Sequence, residues 1–129
     1  MRVLFLCFTI FAWDVLFAQQ IDCNKTTPTS QAFFDSLQNN TAVPRERLLN
    51  AGKLRVLGVD YIITQFTVII DGARVDLAEE TIKGNTFSLD ALRLIKMTVG
   101  GDLVNIDCII GKNNKGNSIL CKPFYFIIE

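Results

Sequence analysis

The 129-residue chain contains no histidine. Ser-His-Asp and Cys-His catalysis use a neutral imidazole as base, and the usual zinc ligand sets use it as a donor, so these chemistries are excluded. Net charge is missing too, because thirteen Lys and Arg balance thirteen Asp and Glu. No general field therefore draws in nucleic acid or an anionic membrane. There is no C-x-x-C for redox exchange, no D-x-[DN]-x-[DN]-G for calcium and no G-x-x-x-x-G-K-[ST] for phosphate. The stretch GKNNKG shares only composition with a phosphate loop, since Gly116 leads into Asn-Ser and a strand pattern rather than a helix. Glu79-Glu80 is the only adjacent Glu pair. Neighbours on a strand point to opposite faces, so this pair reads as solvated rather than catalytic. No cofactor is implied, and no internal repeat occurs.

What is present is apolar. Half the residues are hydrophobic and a fifth are charged, enough for the core of one domain. The start, MRVLFLCFTIFAWDVLFA, has the layout of a secretory signal: Arg2, an apolar run over 3–13, and Ala18 ahead of a cut near 18–20. Asp14 interrupts the run short of the ~20 apolar residues a membrane-spanning helix needs. Export with removal of 1–20 is expected, with no membrane span afterwards. Cys23, Cys108 and Cys121 then remain, and exported cysteines read first as disulfide partners. Three thiols fall short of the four ligands of a structural zinc site.

Residues 21–52 are polar, with KTTPTS and Pro44, and read as a linker or loosely docked arm. Short helical stretches are expected near 30–37 and 45–49, started by Ser30 and Pro44. From Lys53 the pattern turns to strands. KLRVLGVDYIITQFTVIID is rich in Val, Ile, Tyr, Phe and Thr, and Gly58 divides it. Ile62, Phe66, Val68 and Ile70 are expected on one face, with Gln65, Thr67 and Asp71 on the other. Asp71-Gly72 is a turn pair, and RVDLAEETIKG supplies weaker strands. Ser88 as N-cap, Asp90, Lys96 and Gly100-Gly101 outline one short helix over about 88–97, with Leu89, Leu92 and Ile95 or Lys96 along one face.

Two strands close the chain. The first, 103–110, puts Val104, Ile106, Cys108 and Ile110 on one face. The second, 118–129, puts Ile119, Cys121, Pro123, Tyr125 and Ile127 on one face and Leu120, Phe124, Phe126 and Ile128 on the other. Apolar on both sides, it is expected to be central or covered. Pro123 points instead to an edge or a bulge. A four-residue turn over 113–116, with Gly116 at positive φ, would pair Cys108 with Cys121, Ile110 with Ile119 and Asp107 with Lys122. A three-residue loop would set Cys108 against Lys122. The first register matches apolar to apolar, so a Cys108–Cys121 disulfide is expected. The tip residues Lys112, Asn113, Asn114, Lys115 and Asn117 are the candidate interaction loop.

From Leu54 onward an ordered set of short stretches stands out: Tyr61 with Phe66-Thr67-Val68, Gly84-Asn85 with Phe87-Ser88, Gly101-Asp102-Leu103-Val104 with Ile106, then Gly111 to Gly116, Leu120 and Pro123-Phe124. In this order they resemble the C-terminal domain of the gliding-motility protein GldM, a component of type IX secretion. The resemblance implies a periplasmic β-sandwich that contacts partner proteins and carries no catalytic residues. Full GldM-type proteins place a membrane helix and further periplasmic domains before this module, so a motor role does not carry over. The fold expected is mainly β, an Ig-like sandwich over 53–129. The function expected is a non-catalytic module binding an envelope or secretion-system protein, with a homodimer as the other partnering considered. The alternative is a stand-alone sandwich binding a carbohydrate or small ligand through its loops.

Overall fold

The computed structural model describes residues 21–58 and 60–129, so the expected signal segment lies outside the described residues. The fold is mainly β and sandwich-like. Its strands are β1 (Ala32–Phe34), β2 (Thr41–Val43), β3 (Leu54–Val56), β4 (Ile62–Asp71), β5 (Ala78–Lys83), β6 (Leu103–Lys112), β7 (Ser118–Cys121) and β8 (Phe124–Ile128). Helix α1 (Arg45–Leu49) falls between β2 and β3, and α2 (Leu89–Lys96) between β5 and β6.

The strands form one curled sheet in the order β1-β3-β4-β6-β8-β2, with β5 also on β4 and β7 also on β6. The antiparallel pair β4–β6 is the trunk, and each of its strands divides its outer edge between two partners. β3 meets β4 at Ile62 while β5 takes Gln65 to Ile70; β7 takes Ile109 to Lys112 of β6 while β8 takes Leu103 to Ile106. The curl closes on itself at one end. Thr29 N–H donates to the Leu120 carbonyl at 3.0 Å and Lys122 N–H to the Ser30 carbonyl at 2.7 Å, setting the residues before β1 parallel to β7.

Two bulges allow this bend. The β4–β6 register shifts around Thr64 and again opposite Cys108. An extra residue bends a strand and reverses which face the following side chains occupy. Thus Ile63, not Ile62, enters the core, and Ile62 is left 67% exposed. On β6, Val104 and Ile106 point inward, but after the bulge Ile109 does so in place of Cys108 and Ile110. Cys108 holds the left-handed φ of 45°, and its N–H donates to Asp107 Oδ1 at 2.8 Å. Pro123 sits in the gap between β7 and β8 beside this bulge, where its missing N–H breaks no ladder.

Residues 21–52 are not a loose arm. They contribute β1, β2 and α1, and Phe34, Val43, Leu48 and Ala51 are buried in the core. The stretch expected as helix over 30–37 is the strand β1, its Ala32 and Phe34 inward and paired with Val56 and Leu54. β2 runs parallel to β8, which makes the final strand central as expected. The short helix at 45–49 forms after Pro44. Arg45 Nη1 from it donates to the Lys96 and Thr98 carbonyls at 3.2 and 3.0 Å, capping the C-terminal end of α2.

Helix α2 begins as its sequence dictates, with Ser88 Oγ accepting from Ala91 N–H at 3.2 Å. Its buried face is Ala91 and Ile95, one i,i+4 pair, whereas Leu89 is 73% exposed. The loop after it is tied to the β4–β5 turn by buried Asp102, which accepts from Ala73 N–H at 3.1 Å and Val99 N–H at 2.8 Å. A side chain at Gly72 would meet that carboxylate at 2.5 Å, so close approach requires glycine there.

Candidate interaction surface

The β6–β7 hairpin was expected to present a tip, and it does so in the other register. Ile109 pairs with Cys121, Ile110 with Leu120, Gly111 with Ile119 and Lys112 with Ser118. The loop is the three-residue one, Asn114 to Gly116, with Gly116 at φ 82° and its N–H donating to the Asn113 carbonyl at 3.1 Å. Asn113 Oδ1 accepts from the N–H groups of Lys115 and Asn117 at 3.0 and 2.9 Å, so the tip is held in one shape by its own side chain. Lys112, Asn114, Lys115 and Asn117 are exposed and Asn113 is half-buried.

The register corrects the disulfide. Cys108 is bonded to Cys23, with 5.5 Å between their Cα atoms, and Cys121 is free and buried. The bulge turned Cys108 out of the core face, and the three-residue loop put Ile109 opposite Cys121. The outward sulfur meets the segment ahead of β1, so the bridge fastens that segment to the trunk.

Cys121 is 1% exposed, and burial pushes its thiol from 9.0 to about 11. The unfolded chain releases this proton near 9, whereas the folded one retains it. The resulting stabilisation is complete below pH 9 and lost as pH rises toward 11. Relative to Cys121→Ala, the wild-type protein is expected to lose roughly 2–3 kcal/mol across that window, read from urea midpoints at pH 8 to 11. A difference independent of pH would sink this assignment.

A second surface lies at the other end of β6. Outward from the sheet, Ile69 of β4 shares a row with Asn105 and Tyr125, and Leu103 shares the next with Ile127 and Ala42. Tyr125 and Ile127 are 37% and 39% exposed, while Ile69 and Leu103 are half-buried. The strip is apolar apart from Asn105, which lies between Ile69 and Tyr125, and it is bordered by Asp71 beside Leu103 and by Asp107 in the next row. Its signal in the sequence was the final strand being apolar on both sides, taken there as a sign of a central or covered strand.

Two open hollows complete the surface. One of about 410 Å³ beside the tip is lined by Ile21, Gln65, Lys83, Ile110, Lys112 and Ser118. Another of about 480 Å³ at the β3–β4 corner is lined by Phe33, Arg55, Asp60, Tyr61 and Asn85 among others. Glu79 and Glu80 lie on β5, and as adjacent residues of a strand they do not converge. Among the described residues no three Cys, Asp or Glu side chains gather as metal ligands, and no helix is long and apolar enough to cross a membrane. Compared with protein-family models and with curated proteins, the chain matches none.

Proposed function

We propose that the chain is an exported, non-catalytic module that binds an envelope or secretion-system protein, in the manner expected of a GldM-type C-terminal domain. The observation that carries this reading is the apolar strip of Ile69, Leu103, Tyr125 and Ile127 on the outer sheet face. Partly exposed apolar side chains grouped on one sheet face beside polar neighbours mark an interaction site. The Cys23–Cys108 bridge supports an oxidising compartment, consistent with export to the periplasm.

A photo-crosslinking residue placed at position 125 in the cell is expected to capture an envelope or secretion-system protein, and Ile127→Asp is expected to reduce that product at least fivefold. The same probe at position 115 tests the hairpin tip. A product at 115 alone would move the interface to Lys112–Asn117, and none at either position would overturn the reading. The carbohydrate alternative rests on Tyr61 and Phe33 beside Asp60 and Asn85 in the corner hollow. Glycan binding abolished by Tyr61→Ala would favour it instead.

A further inference from the structure

The outer edge of β5 points to a second copy of this chain, an interaction separate from the partner surface above. Gly84 N–H donates to the Thr64 carbonyl at 2.8 Å, and the β4–β5 ladder runs from there to Ala78 without a shift. Antiparallel ladders bond alternate residues, so Ala78, Glu80 and Ile82 direct their backbone groups to β4. Glu79, Thr81 and Lys83 direct theirs outward. Among the described residues, β5 pairs with no strand other than β4.

We infer that two chains pair antiparallel along this edge, with Thr81 facing its own copy across a two-fold axis. Only outward residues can exchange backbone bonds, which restricts pairing to odd-numbered positions against odd-numbered ones. Centring on Thr81 gives the longest overlap and matches Glu79 of each chain with Lys83 of the other. Opposite charges directly across an antiparallel pair are favourable, and like charges there are unfavourable. On the inward side Glu80 faces Ile82 and Ala78 faces Gly84, so no like charges meet. The two-fold leaves both α2 helices on one side of the joined sheet, with Leu89 at the start of each and Met97 just after its end exposed. An edge used this way also answers the hazard that an open strand presents, because closed two-fold pairing leaves nothing further to add to.

The test is sedimentation velocity of the full chain over a wide concentration range. Wild type is expected to pass from monomer to dimer. Glu79→Lys and Lys83→Glu each create two like-charge pairs per dimer and are expected to weaken association roughly tenfold. The double variant E79K/K83E is expected to return it to within about threefold of wild type. Unfolding midpoints close to wild type would show that the exposed substitutions leave the monomer intact. Hydrogen exchange gives an independent readout. On dilution the amides of Glu79, Thr81 and Lys83 should lose protection, while those of Glu80 and Ile82 keep theirs. A chain monomeric at every concentration, a dimer indifferent to the single swaps, or a double variant as weak as either single one would overturn the inference.

Discussion

Cys23→Ser is expected to lower the unfolding free energy by about 4–5 kcal/mol, read from chemical denaturation under non-reducing conditions. The bridge to Cys108 spans 85 positions of sequence, so its loss opens a loop of about two thirds of the chain in the unfolded ensemble. Against a typical total of about 5–15 kcal/mol for a domain, that places the variant near the edge of folding. Part of the effect is local. The bridge fastens the segment whose Ser30 pairs with Cys121 and closes the sheet. Cys108→Ser and the double variant are expected to match Cys23→Ser, because all three remove one bond. Cys121→Ser keeps the bond and should leave the Cys23–Cys108 peptide intact in non-reducing mapping. Loss of the bridge in Cys121→Ser, with its survival in Cys23→Ser, would reverse the assignment.

The disulfide is also where sequence reasoning failed for a reason that can be located. Period-2 alternation placed Cys108 on one face with Val104 and Ile106, and a four-residue turn over 113–116 then set it against Cys121; the actual three-residue loop sets Cys121 against Ile109. One additional residue in β6 moved every later side chain to the opposite face. Asp107, which accepts from the Cys108 N–H, and Pro123, which cannot donate across the gap, are local marks of the interruption. Neither is specific enough to be read as a bulge in isolation. The same fault on β4 exchanged Ile62 for Ile63. By contrast, β4, β6, β8 and α2 were legible because long alternating runs and a serine cap are encoded in adjacent residues. The candidate surface was half legible: Lys112 to Asn117 were recognisable as a tip, but the outer strip needs Ile69, Leu103, Tyr125 and Ile127 from three strands side by side.

The hardest part to read was residues 21–52, where each element is three to five residues long and no periodicity can build up. The tertiary setting decides these residues, and Phe34 shows how firmly. Its ring stacks on Phe87 at 5.1 Å between centroids and lies 6.2, 6.3 and 6.4 Å from Phe124, Phe126 and Phe66. One aromatic side chain thus joins β1 to β4, β8 and the approach to α2. Phe34→Ala removes it from a site with no solvent exposure and leaves a cavity the surrounding rings cannot fill without moving. The expected cost is about 3–5 kcal/mol in urea unfolding, with near-UV dichroism weakened as the aromatic cluster loosens. Phe33→Ala, one residue away on the half-buried outward face, provides the control and is expected to cost far less. The two outcomes separate the possible roles of this segment. A docked tether would lose under about 1 kcal/mol at either position, whereas a strand built into the core must show a steep difference between adjacent phenylalanines, alternating as the pleat does.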